Sequence, residues 1–166
     1  MKKVGLYVLF TFISLAIVGC AGHGTSVKGK EIPIESAAVK LVSDAKASGF
    51  KLVTTSELKK RLDEGKKITI ISTLPVEEDK NFGTLPGALS APLPKTEKEL
   101  NQADKDNLLK IAGSDKEKEI VVYCGFVACR RSTIGAKILV EEGYKNVSKY
   151  PGGITAWVEA GYPVVK

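Results

Sequence analysis

The chain has 166 residues and a formal net charge of +6, and 43% of its residues are hydrophobic while 27% are charged. This length suits one domain with its own core, and the composition is globular, which excludes a large multidomain enzyme, a wholly disordered chain and a polytopic membrane protein. Three cysteines are too few for a disulfide scaffold, and a single histidine is too few for most histidine-built metal sites.

The first 20 residues have the pattern of a bacterial export signal. Lys2 and Lys3 precede an uncharged, mainly apolar run over residues 4–19, which is shorter than the roughly 20 apolar residues that a membrane-spanning helix needs. The run ends in the sequence IVGC at residues 17–20, which resembles the lipobox of bacterial lipoproteins. We therefore predict a signal peptide over residues 1–19 and lipidation of Cys20, with an uncleaved anchor or an ordinary cleaved signal as the alternative.

This signal changes what the net charge and the cysteines mean. Its removal would take away two lysines and lower the formal net charge from +6 to +4, and no cluster of five basic residues remains to favour nucleic acid as a partner. We expect a monomeric protein held in the cell envelope by the lipid on Cys20, on the periplasmic face. Ala21 favours the outer membrane if the envelope is Gram-negative. Export also places the other cysteines where unprotected thiols can be oxidised.

Residues 20–35 are rich in glycine and polar residues and predict a lipidated N-terminus followed by a flexible tether. Residues 24–30 nearly match a phosphate-binding loop, but Glu31 replaces the required Ser or Thr and no strand precedes it, so nucleotide binding is rejected. His23 lies in the same tether, and the domain after it has no histidine. The sequence therefore excludes a Cys-His hydrolase and a His-ligated zinc enzyme, and we expect no metal or organic cofactor.

The rest of the chain alternates strand and helix signals. A leading helix is predicted over 36–48, ended by Gly49. Strands are predicted over 50–53, 68–72, 88–91, 119–123 and 146–150, and helices over about 54–65, within 96–112, over 133–142 with Ser132 as its cap, and over 154–160. Residues 73–87 are expected to form a long loop. This alternation indicates a single α/β domain over residues 50–166, with a mainly parallel central sheet flanked by helices.

The loop after the strand over 119–123 contains a candidate nucleophile and two candidate anion-binding residues. Cys124 follows that strand directly, and Arg130 and Arg131 precede a helix. At the carboxyl end of a parallel strand, backbone amides and helix N-termini point at a ligand and lower the pKa of a cysteine, so Cys124 is predicted to be a nucleophile that needs no histidine. The amides that would hold its substrate belong to Gly125, Phe126, Val127, Ala128, Cys129 and Ser132. The alternative is that Cys124 is a small buried residue at a strand end.

Three segments resemble the rhodanese family over roughly residues 54–166. They are LPGALSAP at residues 85–92, the loop from Val122 to Ser132, and YPGGITAWVEAGYPV at residues 150–164. The resemblance implies that Cys124 takes sulfane sulfur from thiosulfate or a persulfide, holds it as a persulfide and passes it to cyanide or a thiol. It also implies that Arg130 or Arg131 orients the donor.

Three features depart from the family pattern. Six residues separate Cys124 from Arg131, where common single-domain members have four, while Cys124 and Arg130 give the Cys-x5-Arg spacing of related phosphatases and arsenate reductases. The sequence STL at residues 72–74 stands where the family often has Asp-x-Arg, which puts the support of the loop in doubt. Cys129 is either a buried loop residue or a thiol that resolves Cys124 as a disulfide. A phosphatase or arsenate reductase, and a non-catalytic binding module, therefore stay open.

Overall fold

One parallel sheet organises the structure, a computed structural model that describes residues 31–166. Its strands are β1 (Lys51–Leu52), β2 (Ile68–Ser72), β3 (Leu89–Ser90), β4 (Glu119–Tyr123) and β5 (Asn146–Tyr150). They lie in the order β1-β5-β4-β2-β3, and every neighbouring pair is parallel. This arrangement confirms the predicted α/β fold. The predicted signal peptide, Cys20 and His23 lie outside the described residues.

Six helices surround the sheet. They are α1 (Glu31–Ser48), α2 (Thr55–Asp63), α3 (Val76–Phe82), α4 (Gln102–Ala112), α5 (Arg131–Glu141) and α6 (Gly153–Glu159), with a short 3-10 helix at Glu97–Glu99. Thr54 caps α2 as the sequence predicts, since its hydroxyl accepts from the amide of Glu57 at 3.3 Å. Over residues 31–166, none of these helices is both long and apolar enough to cross a membrane.

The two faces of the sheet bury separate apolar clusters, because alternate residues of a strand point to opposite sides. On one face, Ile120 and Val122 of β4 pack with side chains from α1, α4 and α5. On the other face, Val121 and Tyr123 pack with side chains from α2 and α6, including the buried Trp157. Strand β4 is therefore covered on both sides, and the residue after it emerges at the middle of the carboxyl edge.

Most predicted elements match the structure to within two residues at their ends, and the larger differences lie in the helices. The first helix begins at Glu31, so the last five residues of the predicted tether are helical. The predicted loop over residues 73–87 contains α3, whose first turn holds three acidic residues that favour a helix N-terminus. The predicted helical segment over 96–112 divides into the 3-10 helix and α4. Ser132 lies inside α5 instead of capping it, and its side chain makes no cap hydrogen bond.

Candidate active site

Strand β2 supports the loop from its own carboxyl end. Both the amide and the hydroxyl of Thr73 donate to the carbonyl oxygen of Tyr123, each at 2.9 Å. The hydroxyl of Ser72 donates to Oδ1 of Asp79 at 2.7 Å, and the hydroxyl of Ser90 donates to Oδ2 of the same carboxylate at 2.8 Å. These bonds take the place of the support that the family's Asp-x-Arg would give to the loop. Asp79 can contribute because α3 places its carboxylate beside the end of β2.

Gly153 holds the other side of the loop through a close backbone approach. The amides of Ile154 and Thr155 donate to the carbonyl oxygens of Cys124 and Gly125 at 2.9 and 3.1 Å. Gly153 has a φ of +60°, and a Cβ built there would lie 2.3 Å from the carbonyl oxygen of Cys124. The backbone conformation of Gly153, which favours glycine, therefore also fixes where Cys124 lies.

Two thiols meet in this loop. Cys124 and Cys129 are both free and buried, and they lie close enough for the charge on one thiol to affect the pKa of the other. The Sγ atom of Cys124 also lies 3.0 Å from the hydroxyl of Ser132 and 3.5 Å from the carbonyl oxygen of Cys129. Cys124 is only 1% exposed, whereas Cys129 is 8% exposed. The pair therefore has an inner thiol, Cys124, and an outer one, Cys129.

Polar groups of the loop act on both thiols, with the amide and hydroxyl of Ser132 beside Cys124 and the other groups beside Cys129. The pKa of Cys129 is lowered to about 5, first by the hydrogen bond from Cys124 and then by the amides of Gly125 and Arg131 and the Arg131 side chain. The pKa of Cys124 is raised, because burial and the neighbouring Cys129 both oppose a charge on it. Ionisation of either thiol opposes ionisation of the other, so the pair carries at most one negative charge, and the assignment of that charge to Cys124 stays a prediction.

The two arginines have different surroundings. Arg130 pairs with Asp44 of α1 and with Glu97 at 3.1 Å, so its guanidinium is occupied by carboxylates. The Nε of Arg131 donates to the carbonyl oxygen of Leu93 at 2.9 Å, and its side chain also contacts Cys129. None of the ion pairs among residues 31–166 includes Arg131. The guanidinium that has capacity left to bind a substrate anion is therefore that of Arg131.

A buried lysine that the sequence analysis missed lies under the loop. Lys149 of β5 is 1% exposed, and its Nζ donates to the carbonyl oxygen of Cys129 at 3.2 Å and to the hydroxyl of Thr133 at 2.8 Å. No carboxylate of the described residues pairs with it. Burial lowers the pKa of Lys149, and negative charge on Cys124 or Cys129 opposes that change. The thiolate is thus a counter-charge to this ammonium.

A cavity of about 940 Å³ opens above the pair. Of the loop residues predicted to bind substrate, Gly125, Phe126, Ala128 and Cys129 line it, whereas Cys124, Val127 and Ser132 do not. The basic side chains on its wall belong to Lys95, Arg130, Arg131 and Lys166, against one acidic side chain, that of Glu78. Within residues 31–166, no cluster of three or more His, Cys, Asp or Glu side chains could hold a metal ion. The cavity therefore suits an anionic substrate.

Comparison with known proteins gives a match to one protein family. A family profile described as Rhodanese-like domain matches residues 54–160. No curated protein matches the chain significantly.

Solved structures give the same fold. The chain is similar to the polysulfide-sulfur transferase of Wolinella succinogenes, with 26% identity and a TM-score of 0.57 over 79% of this chain and 90% of that one. It is similar in fold to the thiosulfate sulfurtransferase from Pseudomonas aeruginosa, with 22% identity and a TM-score of 0.58 over 80% of this chain and 23% of that one. A protein of unknown function from Rhodopseudomonas palustris, described as a possible tyrosine phosphatase, has 22% identity and a TM-score of 0.50 over 86% of this chain and 98% of that one.

Proposed function

The chain belongs to the rhodanese-like domain family, and on that premise we propose that it is a sulfurtransferase that moves sulfane sulfur from thiosulfate or a persulfide to a thiol. The observation that carries the proposal is the thiolate of the Cys124–Cys129 pair at the base of a basic cavity. A low-pKa thiol supplies the nucleophile that persulfide formation needs, and it does so without a histidine.

Different residues of the site would bind the donor, attack its outer sulfur and stabilise the persulfide. Arg131 and the basic wall of the cavity would hold the oxyanion end of thiosulfate. A cysteine thiolate would attack the outer sulfur of the donor, the sulfur–sulfur bond of the donor would break, and sulfite would leave with the electron pair. The amides of Gly125 and Arg131, which now face a thiolate, would stabilise the charge on the persulfide. An acceptor thiolate would then remove the outer sulfur.

The size of the cavity bears on the substrate class. A volume of about 940 Å³ is far larger than thiosulfate needs and is in the range that holds ligands of several hundred cubic ångströms. The exposed side chains of Phe82, Phe126 and Val158 line it beside the basic residues. An organic persulfide or thiol with an apolar body and an anionic group fits this wall better than an inorganic anion alone.

Oxyanion chemistry on phosphate or arsenate is the second candidate, favoured by the Cys-x5-Arg spacing. In that chemistry Arg130 would hold the substrate oxygens, but here Arg130 is already paired with Asp44 and Glu97. Binding of phosphate would require Arg130 to leave both carboxylates. The surroundings of Arg130 therefore favour sulfur transfer.

The test is a thiosulfate and cyanide assay on the domain over residues 31–166, with aryl phosphate and arsenate assays beside it. The predicted persulfide is on Cys124, so Cys124→Ser, Cys129→Ser and the double serine variant are compared with the wild type. Thiocyanate formation by the wild type and none by the double variant supports the proposal. Equal rates in all four proteins, or turnover of aryl phosphate or arsenate alone, would contradict it.

We also propose that the protein is exported and anchored in the cell envelope through a lipid on Cys20, on the strength of the sequence pattern at residues 1–20. Expression of the full chain in a bacterium with a labelled fatty acid tests this directly. The wild type should carry the label and sediment with membranes, and Cys20→Ser should carry none. Label on both proteins, or on neither, would contradict lipidation at Cys20.

A further inference from the structure

We propose that Cys129 is a second catalytic cysteine and that the pair reduces the accepted sulfur to sulfide while Cys124 and Cys129 join in a disulfide. This inference rests on the proposed sulfur transfer but goes beyond it, because it makes the domain a dithiol reductase of sulfane sulfur. The known rhodanese step needs one cysteine and releases no sulfide by itself.

Access decides which thiol meets the donor first. Cys129 lines the cavity, whereas Cys124 does not and is 1% exposed. The amides of Gly125 and Arg131 and the Arg131 side chain also favour the charged form of Cys129. A donor that enters the cavity therefore reaches Cys129 before Cys124, in a position where an anion is stabilised.

The placement of Cys124 decides the second step. The Sγ atom of Cys124 lies 3.5 Å from the carbonyl oxygen of Cys129, and unlike Cys129 it does not line the cavity. A sulfur atom accepted by Cys129 would extend into the cavity, so Cys124 would face the inner sulfur of that persulfide and the outer sulfur would be the leaving group. Thiol–disulfide exchange proceeds by such a displacement, with the attacking and leaving groups on opposite sides.

The reaction balances in two steps. The Cys129 thiolate attacks the outer sulfur of thiosulfate, which releases sulfite and leaves a Cys129 persulfide anion. The Cys124 sulfur then attacks the Cys129 sulfur, the Cys124–Cys129 bond forms, the bond to the outer sulfur breaks, and the Cys124 proton leaves on hydrosulfide. The outer sulfur gains two electrons and each cysteine sulfur loses one.

Turnover then needs a dithiol reductant. Such a reductant would attack the Cys129 sulfur, because that is the half of the disulfide that faces the cavity. Cys124 would leave as a thiol, and the reductant would close its own disulfide. The Ser132 hydroxyl contacts the Cys124 sulfur, which gives up the proton, and Lys149 lies beside the pair through its bond to the carbonyl oxygen of Cys129.

The experiment treats the reduced domain with excess thiosulfate, without added thiol, and measures sulfite, sulfide and intact mass. The wild type should release sulfite and sulfide in equal amounts and lose the mass of two hydrogen atoms, with a peptide map that links Cys124 to Cys129. Cys124→Ser should release sulfite but no sulfide and gain the mass of one sulfur atom on Cys129. Cyanide should remove that sulfur as thiocyanate.

The outcomes separate this inference from the proposed function. Sulfite release with a persistent persulfide on Cys124 in the wild type, and no sulfide, would overturn the inference and leave sulfur transfer intact. No sulfite and no added sulfur in any of the proteins would overturn both. A circular dichroism spectrum and an unfolding curve that match the wild type confirm that each serine variant is folded, and Cys129→Ser should release no sulfide.

Discussion

At the scale of single residues, the site contains charged groups that form no ion pair with a carboxylate among residues 31–166. The Cys124–Cys129 pair has Arg131 beside it at the start of α5, and Lys149 on β5 donates to the carbonyl oxygen of Cys129, while Arg130 and Asp44 neutralise each other nearby. Lys149 is buried without a carboxylate, which is costly unless its charge serves the loop. We therefore treat Lys149 as a positioning residue that stabilises the thiolate.

Replacing Lys149 with methionine should make the thiolate harder to form. The pKa of Cys129 is about 5 in the wild type, so its alkylation by iodoacetamide should fall as the pH drops through that value. The loss of a buried positive charge removes a stabilising partner, so in Lys149→Met the midpoint should rise by about one pH unit or more.

The control is Lys145→Met, which removes the same charge from an exposed side chain at the opposite end of β5. It should leave the midpoint unchanged. The free energy of unfolding of Lys149→Met should change by no more than about 2 kcal/mol, because an apolar side chain of similar length suits the buried site. Identical midpoints in the wild type and Lys149→Met would contradict the role given to Lys149.

Substitution of the two arginines should have different effects on KM for thiosulfate. Arg131→Gln removes the guanidinium that we assign to the donor, and the loss of a charged hydrogen bond should raise KM for thiosulfate about tenfold or more. Arg130→Gln should leave KM within about twofold and lower the free energy of unfolding by about 1 kcal/mol, since its carboxylate pairs are part-exposed. A larger rise in KM for Arg130→Gln than for Arg131→Gln would reverse the assignment.

At the scale of elements, the carboxyl ends of β2, β4 and β5 build the site. Thr73 after β2 fixes the carbonyl of Tyr123, and the start of α6 fixes the carbonyls of Cys124 and Gly125. The apolar runs of β2 and β4 allowed these two strands to be predicted. Helix α3 could not be predicted, because its seven residues have no apolar period. The role of Asp79 could not be predicted either, because the hydroxyls that hold it belong to Ser72 on β2 and Ser90 on β3.

Gly153→Ala tests how tightly α6 holds the loop. The new Cβ would lie 2.3 Å from the carbonyl oxygen of Cys124, at a φ of +60° that alanine disfavours, so the variant should lose more than about 3 kcal/mol of stability and most of its activity. Gly161 has a φ of +73° but open space around it, so Gly161→Ala should cost only about 1 kcal/mol and retain activity. Urea unfolding curves and thiosulfate turnover measure both, and equal costs would contradict the close approach.

At the scale of the whole molecule, the sequence was sufficient to predict the family, the parallel sheet and the position of the loop that begins at Cys124. It was not sufficient for the cavity, because Glu78, Lys95 and Lys166 come from three distant segments that only the fold brings together. It also did not show that Cys129 lines this cavity while Cys124 does not. Position after a strand does not show whether a cysteine faces the cavity or lies behind a second one.

The measurement that tests the central claim most directly is the burst of sulfite when the reduced domain is mixed with thiosulfate labelled in its outer sulfur. The wild type should release one unlabelled sulfite per site, and the label should be recovered as protein persulfide or as sulfide. The double variant Cys124→Ser, Cys129→Ser should give no burst. A burst of equal size in both proteins, or none in the wild type, would contradict sulfur transfer by the cysteines of this loop.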